Sequence, residues 1–370
     1  MQNEKLKIAI IGHKQFPSRT GGIEVVVEEL ATRLAAMGDN VVCYDRYELD
    51  KTRHYPTGEY KGVKIKLCPT LSNSKINAML ASLTGTIKLL FHHPNVAHYH
   101  AIGPCAMIFL PHLFGIHTVA TIHGLDWQRS KWGGFATKYI KFGEKLAVKY
   151  ADEIIVLSKG VQKYFKDTYN RDTHFIQNGV NKPVISKAEE IKKKWNLEKD
   201  NYILFLARIV PEKGLHYLIE AYKQIKTNKK LVIAGGASHT NDYLQSIKEM
   251  IKSDDRIVMT GFVQGKILDE LFSNCYLYCL PSDIEGMPIS LLEAMSYGNN
   301  CLVSDVEENT QVTDKYAMQF KKSDVNDLQS KLRECLDGKN RIESNVISDY
   351  VLKKYNWDDV VERTLELYRR

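Results

Sequence analysis

Apolar residues along this 370-residue chain recur in two alternating rhythms. Lys7-Ile-Ala-Ile-Ile-Gly12 predicts a strand, Val25 to Met37 carries helical spacing that Gly38 can stop, and Val41-Val-Cys-Tyr44 predicts the next strand. Further strand-like runs at Val119 to Ile122, Glu153 to Leu157, Tyr202 to Leu206, Leu231 to Ala234, Arg256 to Thr260 and Tyr276 to Leu280 are separated by helical patterns. Strands that alternate with helices predict parallel sheets in an α/β fold. Gly12 and the Gly21-Gly22 pair are not spaced as GxGxxG, so dinucleotide binding is poorly supported.

The length suits two domains rather than one core, and 44% hydrophobic residues can fill both. Asn178-Gly-Val-Asn-Lys-Pro183 gives way to a charged helical stretch, Ala188 to Trp195, which predicts a hinge near residue 183. The expected domains are residues 1–183 and 184–354. Residues 355–370 have helical apolar spacing at Val360, Val361, Thr364, Leu365 and Tyr368. No signal-peptide core follows Met1, and the apolar run Ala106 to Ile116 is too short to span a bilayer, so the expected location is cytoplasmic. Seven cysteines without a CxxC pair point to reduced thiols and no structural zinc.

Net charge is +7, with 24 Lys+Arg against 15 Asp+Glu in residues 1–183 and 27 against 29 in residues 184–370; ten of the twelve histidines also lie in the first half. A basic half suits an anionic membrane surface, a polyprenyl diphosphate or nucleic acid, or is simply a solvated face. No nucleic-acid-binding motif is recognisable, and no nucleic-acid partner is expected. Lys75 to Lys88 could form a basic amphipathic face resting on an anionic membrane; alternatively its apolar side is buried in the first domain.

The chemistry concentrates in Pro281-Ser-Asp-Ile-Glu-Gly-Met-Pro-Ile-Ser-Leu-Leu-Glu-Ala-Met-Ser-Tyr-Gly298. Pro288 suits a first helical turn, which places Glu285 just before a helix and Glu293 inside it. Free N–H groups at a helix start attract phosphate, and carboxylates accept hydrogen bonds from sugar hydroxyls. Read singly, both glutamates are ordinary solvated acids. Upstream, the strand Tyr202 to Leu206 runs into Arg208, Pro211, Lys213 and Gly214. An arginine fork and a lysine point charge at a strand's carboxyl end can share a diphosphate without a metal. Either alone is more simply an exposed charge. Adjacent acids at Asp152-Glu153, Asp254-Asp255 and Asp358-Asp359 form no DxD motif, and no metal is expected.

Taken together, these segments resemble retaining glycosyltransferases of family 4. The resemblance rests on Gly21-Gly-Ile-Glu24, Thr121-Ile-His-Gly124, Val156-Leu-Ser158, Ile176-Gln-Asn-Gly-Val180, the Arg208/Lys213 segment, Thr260-Gly-Phe-Val263 and the glutamate pair, in the family's order. The chain departs from the family's frequent proline after the second glutamate's glycine, having Gly298-Asn299-Asn300. The resemblance implies a GT-B fold, two Rossmann-like domains facing across a cleft, with the last helix crossing back to the first. It implies that Arg208 and Lys213 hold a donor diphosphate, Glu285 the sugar and Glu293 the ribose, with His123 beside the reacting centre. Gly21, Gly22, Val263, Gly286 and Met287 would complete the donor site. Glu24, Asp126, Ser158 and Asn178 would face the acceptor or cleft. Gly21-Gly22 are equally well explained by a tight loop, and His123 by a hydrogen-bonded core histidine.

The implied reaction moves a sugar from a nucleoside diphosphate donor to a hydroxyl of a glycan acceptor, without cofactor or metal. Gly21 to Glu24 with Glu28-Glu-Leu-Ala31 also resembles bacterial surface-polysaccharide enzymes, rhamnosyltransferases among them, which points to a polyprenyl-linked acceptor and a peripheral position on the inner face of the plasma membrane. The alternatives are a nucleotide-sugar epimerase and a non-catalytic nucleotide-sugar-binding subunit.

Overall fold

In the first strand, Lys7–Ile11 (β1), Ile8 and Ile10 enter one buried cluster while Ala9 and Ile11 enter another, and none is more than 2% exposed. A strand buried on both sides reads as a continuous apolar run, which is the mark of a parallel sheet covered by helices. The computed structural model describes residues 5–51, 55, 57–73, 76–128, 134–236 and 241–370. It divides into a first unit that ends at Gly179 and is rejoined by Trp357–Arg370, and a second unit, Val180–Asn356.

The first unit's sheet continues with Asn40–Glu48 (β2), Gly58–Tyr60 (β3), Val63–Thr70 (β4), Val96–His100 (β5), His117–Ile122 (β6), Glu153–Val156 (β7) and His174–Phe175 (β8). Their order is β3-β4-β2-β1-β5-β6-β7-β8, and every pairing is parallel except β3 with β4. The Trp357–Tyr368 helix lays Val361, Leu365, Leu367 and Tyr368 onto the cluster that holds Ile8 and Ile10. The final helix therefore packs on the first unit.

The second unit contains Tyr202–Leu206 (β9), Lys230–Ala234 (β10), Ile257–Gly261 (β11), Leu277–Leu280 (β12), Cys301–Ser304 (β13) and Met318–Phe320 (β14). These form a wholly parallel sheet in the order β11-β10-β9-β12-β13-β14. Both units are thus Rossmann-like, as the GT-B expectation requires. No helix among the described residues is long and apolar enough to cross a membrane. All seven cysteines are unpaired, and six are buried.

The breaks differ from those expected at residues 183 and 354. Val180 pairs with Asn356 and donates its N–H to the Tyr355 carbonyl at 2.9 Å, which keeps residues 180–183 and 355–356 in the second unit. At the crossing, a Cβ on Gly179 would lie 2.6 Å from the Trp357 nitrogen, so the two chain segments can pass only beside a glycine.

Candidate active site

Chain order in the second sheet reverses at β9, because β10 and β11 are added on one side and β12 to β14 on the other. In open α/β sheets the carboxyl ends of the strands flanking such a reversal form the binding crevice. Beyond β9 the chain passes half-buried Arg208, makes one 3-10 turn at Pro211–Lys213 and leaves through Gly214 at φ +65°. A Cβ on Gly214 would lie 1.9 Å from the Pro281 carbonyl oxygen, so glycine lets the loops after β9 and β12 touch.

That approach joins two predicted residues. Lys213 Nζ lies 2.5 Å from Glu285 Oε1, with their side chains 16% and 5% exposed, and Ser282 Oγ donates to the same oxygen at 2.6 Å. Ser282 is fixed from beneath: Ser304 Oγ donates to its carbonyl at 2.5 Å, and Asn309 Nδ2 donates to Ser304 Oγ at 3.0 Å. All three of these residues are fully buried. Met287 is buried and Gly286 half-buried in the same loop as Glu285. Pro288 is the N-cap of the Ile289–Ser296 helix rather than a first-turn residue, since its ψ of 93° is not helical. Glu293 is half-buried in that helix, and Val263 is half-buried in the loop after β11, at the sheet's far edge.

The first sheet reverses between β1 and β5. Gly12, at φ +115°, brings the loop after β1 so close to β5 that a Cβ would lie 2.1 Å from the His100 carbonyl oxygen. His98 and His100 alternate on β5 and therefore share a face, with ring centroids 4.2 Å apart. His98 Nδ1 meets the Tyr368 hydroxyl at 2.6 Å and its Nε2 meets Thr121 Oγ1 at 2.7 Å. His100 Nδ1 lies 3.0 Å from Nε2 of His123, which follows β6 and is 8% exposed. Nearby, His13 Nε2 contacts Asp45 Oδ1 at 2.8 Å, while Asp45 Oδ2 accepts from the Phe16 N–H at 2.8 Å.

His98 and His100 are held neutral. Burial, helped by His123, lowers the pKa of His98 to about 3, and burial together with the neighbouring histidines lowers that of His100 well below the ordinary value. His100 Nε2 is buried and has no hydrogen-bond partner among the described residues. An orphaned acceptor is less costly to bury than an orphaned N–H, so the His100 proton belongs on Nδ1. His100 then donates to His123 Nε2, which leaves a His123 ring proton on Nδ1.

The remaining first-unit residues serve more local contacts. Gly21 is the extended N-cap of the Gly22–Ala36 helix at φ −157°, and neither glycine has the unusual backbone angles that a tight loop would require. A Cβ on Gly21 would lie 2.4 Å from Glu24 Oε2, the end of a flexible side chain. Glu24 is buried and its Oε1 accepts from the Lys14 N–H at 3.1 Å, tying the helix start to the loop after β1. Ser158 is a buried N-cap whose Oγ accepts from the Val161 N–H at 3.2 Å. Asn178 is buried just ahead of the chain crossing. Asp126 opens the turn Asp126–Gln128, which Trp127 anchors by donating its indole N–H to buried Glu144 at 2.9 Å.

Family descriptions divide the chain as its sheets do: "Glycosyltransferase Family 4" matches residues 20–182 and "Glycosyl transferases group 1" matches residues 187–363. The chain is a GT-B glycosyltransferase. It is 26% identical over 362 residues to an uncharacterized glycosyltransferase of Methanocaldococcus jannaschii, covering 94% of each chain. It is 24% identical to the N,N'-diacetylbacillosaminyl-diphospho-undecaprenol alpha-1,3-N-acetylgalactosaminyltransferase of Campylobacter jejuni, over 64% of this chain and 66% of that one. Sucrose-phosphate synthase from Thermosynechococcus elongatus shares the fold with a TM-score of 0.84, at 20% identity over 99% of this chain and 98% of that one.

The glycosyltransferase's second-unit residues are those that the sequence brings out most plainly, since each adjoins a strand end or helix start. The supporting Ser282, Ser304 and Asn309 and the histidines around His123 are not singled out by any motif. Alternation offered one signal for the latter: His98 and His100 lie two apart, as do Thr121 and His123. The comparisons favour neither the epimerase nor the non-catalytic subunit.

Proposed function

We propose that this glycosyltransferase moves a sugar, with retention, from a nucleoside diphosphate to a hydroxyl of a polyprenyl-linked glycan in the assembly of a bacterial surface polysaccharide. The observation that carries the reading is the Lys213–Glu285 pair at the reversal point of the second sheet. A diphosphate arriving there takes over Lys213 as its counterion, with Arg208 as a second cation, and frees the Glu285 carboxylate for sugar hydroxyls. Glu293 takes the ribose, and Gly21, Gly22, Val263, Gly286 and Met287 border the donor. No metal is needed to neutralise the leaving group.

As the bond from the anomeric carbon to the phosphate oxygen breaks, negative charge grows on the diphosphate beside Lys213 and Arg208, where it is stabilised most in the transition state. The acceptor oxygen bonds the same carbon from the face the phosphate leaves, and its proton passes to the departing phosphate oxygen. His123 orients the sugar or stabilises the phosphate. The first unit takes the acceptor, with Glu24, Asp126, Ser158 and Asn178 on that side, and its basic excess suits a polyprenyl diphosphate. The relative that acts on a diphospho-undecaprenol acceptor supports this acceptor class. The enzyme then works from the cytoplasm at the inner face of the plasma membrane, as a hexosyltransferase, rhamnosyl transfer included.

The test pairs a panel of nucleotide sugars with polyprenyl diphosphate-linked acceptors and follows product by mass, then its anomeric configuration by NMR. One donor should give a product with the donor's configuration. An inverted product would refute retention, and interconversion of the donor without acceptor would identify an epimerase.

A further inference from the structure

Of the two lysines in the segment Lys75 to Lys88, only Lys88 is described, and it is half-buried. Ser74 and Lys75 lie outside the described residues, and Lys88 Nζ donates to the Leu67 carbonyl oxygen at 2.5 Å. A different helix of the first unit has a basic outer face. Gly134–Tyr150 buries Ile140, Gly143, Glu144 and Ala147, and exposes Phe135, Lys138, Lys141, Phe142, Lys145 and Lys149. At 3.6 residues per turn, Phe135, Lys138, Phe142, Lys145 and Lys149 fall within an arc of about 80°, opposite the buried positions. Phe135 is 70% exposed and Phe142 53%.

Two other helices of the unit carry further exposed apolar residues. The helix Phe109–Leu113 meets the end of Gly134–Tyr150 through the rings of Phe109 and Tyr150, 6.2 Å apart, and exposes Leu113 and then Phe114. The helix Asn77–His92 exposes Phe91 near its end. Single exposed apolar side chains are ordinary, but here four phenylalanines occur on or at the end of three α-helices of the unit and lysines are interleaved with two of them. None of the four lysines is in an ion pair among the described residues. The helix's one acid, Glu144, is buried against Trp127, Tyr164 and Tyr169.

From this face we infer that the first unit docks on an anionic lipid bilayer through Phe135 and Phe142, with Lys138, Lys145 and Lys149 on lipid phosphates. Phenylalanine gains by entering the boundary between headgroups and acyl chains, while lysine keeps its ammonium among anionic headgroups. A second copy of the chain is disfavoured by the same residues, because lysine is depleted from protein interfaces and a twofold contact would oppose like charges. The face stands on its own geometry. Its purpose, keeping the enzyme beside a lipid-linked acceptor, rests on the function proposed above.

Flotation of the full chain with vesicles of phosphatidylcholine, alone or with one third phosphatidylglycerol, tests the inference. The protein should float with the anionic vesicles, stay behind with the neutral ones, and be released by salt. The exposed double variant Lys138→Glu/Lys145→Glu should weaken binding by roughly tenfold or more, given the contribution of each basic residue at an anionic surface. Phe135→Ser/Phe142→Ser should also weaken it, and both variants should keep the wild-type circular dichroism. Absence of binding to anionic vesicles, or binding unchanged in both variants, would overturn the inference. So would a dimer in gel filtration that the phenylalanine variant dissolves, since a second copy would then cover the face. Transfer to a short-chain, water-soluble acceptor should be unaffected by either variant. Its loss in the wild type would count against the proposed function and leave the flotation result standing.

Discussion

The two sheets present different electrostatics at their reversal points. In the second unit the groups are charged and paired, Lys213 against Glu285, with Ser282 sharing the carboxylate. In the first they are imidazoles that burial keeps neutral, linked to one another and to Thr121 and Tyr368. A paired cation can exchange its partner for an incoming anion without being left uncompensated, and removing either partner strands a charge. Neutral imidazoles cannot offset a diphosphate, but they fix the direction of a hydrogen bond. The comparison separates work on charge from work on orientation, and it can be broken from either side.

The largest effect is expected at Lys213. Lys213→Ala should lower turnover by about 10²–10³-fold, the scale found when a donor to developing negative charge is removed, with the fold retained by circular dichroism. Wild-type turnover would take Lys213 out of the reaction. Glu285→Gln should lower transfer while sparing the affinity for the bare nucleoside diphosphate, whereas Glu293→Ala should weaken both; calorimetry showing the reverse would exchange their roles.

A smaller effect sharpens the first unit's side. An asparagine amide can replace the Nδ1–H donor of His100, and a phenylalanine cannot. His100→Phe should therefore cost roughly tenfold in turnover, in line with the loss of orienting partners of histidines, and His100→Asn should restore most of it. Nitrogen NMR should find the His123 proton on Nδ1. Equal turnover in the two variants, with that proton on Nε2, would reduce His100 to a packing residue.

The smallest effect is on stability. The unfolded chain protonates His98 near its ordinary pKa of 6.5 while the folded chain resists down to about 3, so the unfolded state binds the extra proton between these values. Stability is then fully present above pH 6.5 and falls as the pH is lowered toward 3, by about 1.4 kcal/mol per pH unit for such a histidine. Denaturant unfolding from pH 7 to 4 should show a shallower slope in His98→Leu than in the wild type. An unchanged slope would mean that His98 does not couple folding to protons.

Chemistry beside punctuation was legible in the sequence. Arg208 and Lys213 follow an apolar strand and precede a glycine that the loop contact requires, and Glu285 sits between a strand and a helix start, so local pattern alone places them at strand ends. Eight of the fourteen strands among the described residues have counterparts among the apolar runs, whereas β3, β4, β5, β8, β13 and β14 do not. In β5 the histidines interrupt the apolar pattern, and it is tertiary burial that makes Val-Ala-His-Tyr-His a central strand. The His100–His123 bond joins neighbouring strands, and the Ser282, Ser304 and Asn309 support joins residues distant along the chain. No spacing rule reveals such contacts before the sheet order is known. Glu24 and Ser158 carry family patterns yet make local helix-start contacts, so motif membership did not disclose their bonding.

The central claim, that Lys213 and Arg208 at the second sheet's reversal point receive a diphosphate, is tested most directly by calorimetric titration of UDP and GDP into the wild type and Arg208→Ala/Lys213→Ala. The account predicts saturable binding of one of the two nucleotides at a single site, weakened by roughly 100-fold or more in the double variant, as expected when two charge-assisted contacts are lost. An unchanged dissociation constant in a folded double variant would contradict it.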